Sequence, residues 1–81
     1  MRVRILYFAS ARGIVGKRRE IISIDEASNI SELVHTLHGM HPGLKAIERA
    51  TRYAVNLEIV DGDTVLHEGD EVGVLPAVNG G

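Results

Sequence analysis

The residues best suited to a reaction on the backbone itself are the last six, Pro76-Ala77-Val78-Asn79-Gly80-Gly81. They offer no anchor for a core, and in extended form such a stretch reaches about 20 Å at roughly 3.3–3.6 Å per residue. Glycine has no Cβ, so Gly80 and Gly81 could thread a narrow cleft and leave the final carbonyl open to attack. A free α-carboxyl group has a pKa of about 3.3–3.7, so at neutral pH it is ionised and inert toward nucleophiles until it is activated. The plain alternative is a frayed terminus, and a Gly-Gly pair alone does not decide between the two.

Other constellations are weaker. Ala11-Arg12-Gly13-Ile14-Val15-Gly16-Lys17-Arg18 approaches a phosphate-binding loop, but that pattern needs glycine where Ala11 stands and a hydroxyl where Arg18 stands. It is read instead as a hairpin connection. His35, His38 and His41 recur every third residue, a step that drifts around a helix of about 3.6 residues per turn. No carboxylate joins them at ligand spacing, and cations near a helix C-terminus are favoured by its dipole in any case. Asp61, Asp63, Glu68, Asp70 and Glu71 flank Gly62 and Gly69, where turn chemistry accounts for the aspartates better than acid–base work does. Cysteine is absent. That excludes disulfides, thiolate metal sites and cysteine nucleophiles, so any sulfur chemistry here cannot use a thiol of this chain.

The elements that would position the tail are legible from periodicity. Val3, Ile5 and Tyr7 alternate with Arg4 and Leu6, predicting a strand from Arg2 to about Ala9 on a core. Arg19–Ile24 reads as a second strand. Ile30, Leu33, Val34 and Leu37 then fall at helical spacing, with Asn29 and Glu32 placed to form a capping box. Gly39 and Pro42 should stop that helix, and Leu44–Arg49 could add one or two helical turns. Tyr53–Leu57, Thr64–Leu66 and Val72–Leu75 complete the strands, separated by turns at Asp61-Gly62-Asp63 and Glu68-Gly69-Asp70. The order β-β-α-β-β predicts an α+β roll, a mixed sheet of four to five strands packed on one main helix, with the first and last strands parallel at its centre. On this alternation Leu6, Phe8 and Leu75, joined by Ile59, project from the face opposite the core. An exposed apolar patch of that kind marks a partner site more often than an accident; the alternative is a shifted register that tucks these residues inside.

The chain has 81 residues, enough for one compact domain, with 44% hydrophobic and 25% charged residues. A net charge of −2 creates no field for nucleic acid or an anionic membrane. Met1-Arg2-Val3-Arg4-Ile5 interleaves charge with apolar residues, unlike a signal peptide or a membrane span. The expected location is the cytoplasm.

Five stretches carry a family resemblance: Val3-Arg4-Ile5-Leu6-Tyr7-Phe8-Ala9, Ala11-Arg12-Gly13-Ile14-Val15-Gly16, Ala54-Val55-Asn56, Glu68-Gly69-Asp70-Glu71-Val72 and the ending Leu75-Pro76-Ala77-Val78-Asn79-Gly80-Gly81. In this order they resemble the sulfur-carrier branch of the ubiquitin-like β-grasp proteins, most closely the small subunit of molybdopterin synthase. Ala77 and Asn79 depart from the second proline and the hydroxyl residue that often precede Gly-Gly in that family. The resemblance implies a β-grasp domain over residues 1–76 and a flexible Gly-Gly tail over residues 77–81. It implies that an E1-like enzyme adenylates Gly81 with ATP-Mg, and that a separate donor then supplies sulfur to leave a thiocarboxylate. The tail would enter a large catalytic subunit and deliver sulfur to precursor Z in molybdenum cofactor biosynthesis. Phe8, Ile59 and Leu75 would form the apolar docking face, with Arg12 as a polar contact and Pro76 and Val78 also meeting the partner. Gly80 would be the slender segment and Gly81 the reacting residue. No cofactor or metal is expected on this chain, and the catalytic side chains would belong to its partners. Related alternatives are a thiamin thiazole sulfur carrier, a tRNA-thiolation carrier and a ubiquitin-like protein modifier.

Overall fold

The computed structural model describes residues 1–77. The apolar alternation of the N-terminus becomes strand β1 (Arg2–Tyr7), whose Val3, Ile5 and Tyr7 are fully buried. It lies antiparallel to β2 (Arg19–Ser23) and parallel to β5 (Glu71–Pro76). Strand β5 in turn pairs antiparallel with β3 (Thr51–Val55), and β3 with the short β4 (Glu58–Val60). The sheet order is therefore β2-β1-β5-β3-β4. Parallel strands cannot be joined by a tight turn, so the long connection between β1 and β5 carries the helices across one face. This is the mixed β-grasp sheet that the sequence predicts, with the first and last strands side by side.

Helix α1 spans Ala9–Val15 and helix α2 spans Ile30–Met40, followed by a 3-10 helix over Pro42–Ala50. Ile30, Leu33 and Leu37 of α2 pack on Ile5, Tyr7, Val72 and Val74 of the sheet, and Leu44 and Leu66 close the ends of this core. Leu66 is held by its amide, which donates to the Ser28 carbonyl at 2.8 Å.

The capping box forms as expected. Asn29 Oδ1 accepts from the Glu32 amide at 2.9 Å, and Glu32 Oε1 accepts from the Asn29 amide at 2.9 Å. Two otherwise orphaned donors are thereby satisfied. Asn29→Ala should lower stability by about 1 kcal/mol in denaturant titration, and Asn29→Asp should recover most of it.

Several local expectations are corrected. The Ala11–Arg18 connection is largely helix: Ala11 is the buried residue of α1, and Gly16 ends the helix at φ 85° with its amide on the Arg12 carbonyl. Strand β1 consequently stops at Tyr7 rather than Ala9. Helix α2 runs through Gly39 to Met40 before His41 ends it. The third strand starts and ends two residues earlier than expected, because Asn56 and Leu57, at φ 48° and 75°, form the turn into β4. Two consecutive left-handed residues match the right-handed twist of the strands they join. Thr64–Leu66 is not a strand; Val65 makes a single bridge to Asn29.

Candidate functional site

Strand alternation leaves Leu6 on the sheet face away from α2. The registers Leu6↔Gly73, Gly73↔Ala54 and Ala54↔Ile59 carry that face across four strands. Phe8 follows β1, its amide donating to the Val74 carbonyl at 3.2 Å, and Leu75 lies further along β5. Leu6, Phe8, Ala54, Leu57, Ile59, Gly73 and Leu75, with Glu71 at one edge, line a recess of about 180 Å³. Phe8 and Ile59 are 38% and 51% exposed. The structure thus brings Phe8, Ile59 and Leu75 together on one open, apolar face, while Val3, Ile5, Val72 and Val74 are buried on the other. A side chain at Gly73 would begin 3.5 Å from Phe8 Cε2, so the glycine gives the recess its depth.

Arg12 sits on α1, half-buried, with Nε donating to the Tyr7 carbonyl at 3.3 Å. Its neighbours in a second recess are Leu6, Tyr7, Phe8, Arg18 and Arg19. Pro76 is buried at the end of β5 opposite Thr51, and the Ala77 amide still donates to the Ala50 carbonyl at 2.9 Å. The strand that leads toward the Gly-Gly ending is therefore pinned up to Ala77 and runs beside the apolar recess. Val78, Gly80 and Gly81 lie outside the described residues.

Sequence reasoning missed Leu57, which is 93% exposed and holds a left-handed backbone at the rim of the recess. The signal was Asn56 as a turn former, obscured by the usual expectation of glycine after it. Gly73 and Ala54 were also missed; both follow from the β3–β5 register once the hairpin is placed.

The histidines do not converge on a metal site, and no cluster of three or more metal-ligating groups occurs among the described residues. His38 Nε2 lies 3.1 Å from Glu48 Oε1, which also accepts from the Tyr53 hydroxyl at 2.6 Å. His41 Nε2 donates to Glu20 Oε2 at 2.7 Å, joined there by the Tyr7 hydroxyl, while Lys17 Nζ reaches Glu20 Oε1 at 3.4 Å. Burial pushes the Tyr7 and Tyr53 hydroxyls upward, and the carboxylates of Glu20 and Glu48 push them further. Burial alone would raise Glu20, but donation from Tyr7, His41 and Lys17 outweighs it and holds the carboxyl below its ordinary value of 4.5. A carboxyl depressed on folding stabilises the protein fully above its ordinary range and loses that contribution as pH falls through its folded value. Glu20→Gln should therefore cost about 1–3 kcal/mol at neutral pH and flatten the acid limb of a stability–pH profile measured below pH 4.5.

These networks tie elements together and touch none of the apolar recess residues. Among the described residues, the apolar recess forms an open surface suited to docking. Residues 5–81 match the model of the ThiS family. The molybdopterin synthase sulfur carrier subunit of Homo sapiens is 38% identical over 82 residues, covering 98% of this chain and 93% of that protein. Among solved structures, a putative molybdopterin converting factor subunit 1 from Pyrococcus furiosus superposes with a TM-score of 0.88 at 29% identity, covering 96% of this chain and 99% of that one. A chain from the complex of subunits 1 and 2 of the Helicobacter pylori molybdopterin-converting factor gives 0.72 at 27% identity, with complete coverage of both. With a β-grasp sheet, one open apolar face and a matched family model that runs through Gly81, the chain belongs to the ThiS family.

Proposed function

We propose that this chain is the sulfur carrier of a molybdopterin synthase, and that it carries sulfur as a thiocarboxylate on Gly81. The observation that carries the reading is the near-complete similarity to molybdopterin synthase sulfur carrier subunits, combined with an apolar docking face beside the strand that leads to the Gly-Gly ending.

The chemistry follows from the inertness of a carboxylate. One oxygen of the Gly81 carboxylate attacks the α-phosphate of ATP-Mg on an E1-like activating enzyme, and pyrophosphate leaves. The mixed anhydride is now electrophilic at carbon. Sulfide-level sulfur (HS⁻ or its equivalent) from a separate donor adds at that carbon, the C–O bond to the phosphate breaks, and AMP leaves with the bridging oxygen, so the acyl group ends as a thiocarboxylate. The absence of cysteine means that no thiol of this chain can intercept the activated carbonyl. Glycines at 80 and 81 would let the loaded end enter the large subunit's active site, where sulfur passes to precursor Z. This chain contributes the acyl group and the docking surface; its partners contribute the catalytic side chains, and the cytoplasm is the proposed setting. Phe8, Ile59 and Leu75 would meet those partners, with Arg12 and Val78 as further contacts. Pro76 would act from within the strand, since its ring is buried.

Reconstitution tests the assignment. With the activating enzyme, ATP-Mg, a sulfur donor, the large subunit and precursor Z, the chain should support formation of the dithiolene. Loading without transfer to precursor Z would redirect the assignment to another sulfur pathway, and a ladder of isopeptide conjugates on a denaturing gel would favour a protein modifier.

A further inference from the structure

The face opposite α2 has two unlike halves. Over β3–β5 it is the apolar recess, with the exposed Arg52 at its edge opposite Leu75; over β1–β2 arginines are grouped together. Leu6 belongs to both, since it lines the apolar recess, the one with Phe8, Arg12, Arg18 and Arg19, and a third with Arg4, Arg19, Glu20, Ile21 and Glu71. The registers Arg4↔Ile21 and Leu6↔Arg19 put Ile21, which is 64% exposed, in line with the two arginines. The two carboxylates here are already engaged. Glu71 lies 3.7 Å from Arg4, and Glu20 takes Tyr7, His41 and Lys17. Among the described residues, Arg12, Arg18 and Arg19 belong to none of the ion pairs.

The chain as a whole carries a net charge of −2, so this positive wing is local. The Asp61–Asp63 turn is instead tied to the start of α2, where the Ser31 amide donates to the Gly62 carbonyl at 3.0 Å. That places these acids on the other side of the sheet. Unpaired cations beside exposed apolar side chains attract a complementary surface, which gains in encounter rate and in discrimination more than in final affinity.

We propose that Arg12, Arg18 and Arg19, set around Leu6 and Ile21, form the selecting half of the docking face, and that its occupant is a protein surface carrying carboxylates next to an apolar plug. The proposal rests on the reading of Phe8, Ile59 and Leu75 as a docking face, and it adds which partners that face accepts. A nucleic acid would not use Ile21 and Leu6, whereas an acidic protein rim would use both kinds of group.

The test is stopped-flow association of the full chain with its purified large subunit at low and high salt. Arg18→Glu/Arg19→Glu should slow association roughly tenfold or more at low ionic strength, change dissociation much less, and converge on the unaltered protein as salt rises. Arg18→Lys/Arg19→Lys should retain most of the rate, and thermal melting should show all variants folded. Leu75→Asp serves as the companion. If Leu75→Asp abolishes binding while the charge reversal leaves rate and salt dependence unchanged, the arginine wing is refuted and the docking face survives. If neither variant alters binding, the docking face itself is wrong. Wing-dependent binding of a single-stranded oligonucleotide, with none of the subunit, would also overturn the proposal.

Discussion

Leu75→Asp should weaken the complex with the large subunit by at least about 2 kcal/mol, roughly thirtyfold or more in Kd. The side chain lies on the open face with Phe8 and Ile59, in a recess whose lining is apolar except for Glu71. A carboxylate placed there would have to be desolvated by the partner, and Arg52, opposite it on β3 and exposed to solvent, would offset only part of that cost. Leu75 is only partly buried in the chain and is absent from the main core, so folding should be little affected. Titration calorimetry checks the affinity, and thermal melting checks the fold. Phe8→Ala should act in the same direction, because aromatic anchors commonly dominate such interfaces. A Leu75→Asp variant that binds normally would remove the apolar recess from the account.

A second large effect is expected at the terminus. One residue added after Gly81, and shown not to be trimmed, should reduce sulfur loading by at least about a hundredfold. The Gly81 carbonyl would then be an amide, and the new carboxylate would lie about 3.5 Å further on. Misplacement by as little as about 1 Å can cost on that order. Binding to the large subunit should fall far less, because the apolar recess of Phe8, Ile59 and Leu75 lies before Ala77 and is unchanged by the extension. A separation of loading from binding is the signature of a reaction confined to the chain end. A purely structural tail would leave both unchanged.

Much of this site could be read from sequence because strand periodicity is strict. Once Val3, Ile5, Val72 and Val74 face the core, Leu6 and Leu75 must face the other way, and the parallel pairing of β1 with β5 brings them onto one surface. The main helix was equally legible, since Asn29 and Glu32 state its start and the Ile30–Leu37 spacing its buried stripe. What remained hidden depends on longer-range context. Helix α1 is only seven residues long, too short to show a convincing period or to be stable alone. It forms because Ala11 is buried against the core and Gly16 ends the turn. The Asn56-Leu57 turn was obscured because leucine rarely adopts a left-handed backbone, and with it went the position of β4. The pairing of His41 with Glu20 and of His38 with Glu48 joins residues distant in sequence, which no local spacing reports. The arginines followed the same logic: Arg12, Arg18 and Arg19 look like ordinary surface charges until the fold sets them about Leu6.

The central claim is that a backbone carbonyl, rather than a side chain, carries the sulfur. It is tested most directly by intact mass and C-terminal peptide fragmentation after incubation with the activating enzyme, ATP-Mg and a sulfur donor. The predicted result is a single oxygen replaced by sulfur, located in the fragment that contains Gly81 and dependent on ATP. A product unchanged in mass under conditions that load a known carrier, or sulfur found on any other residue, would contradict it.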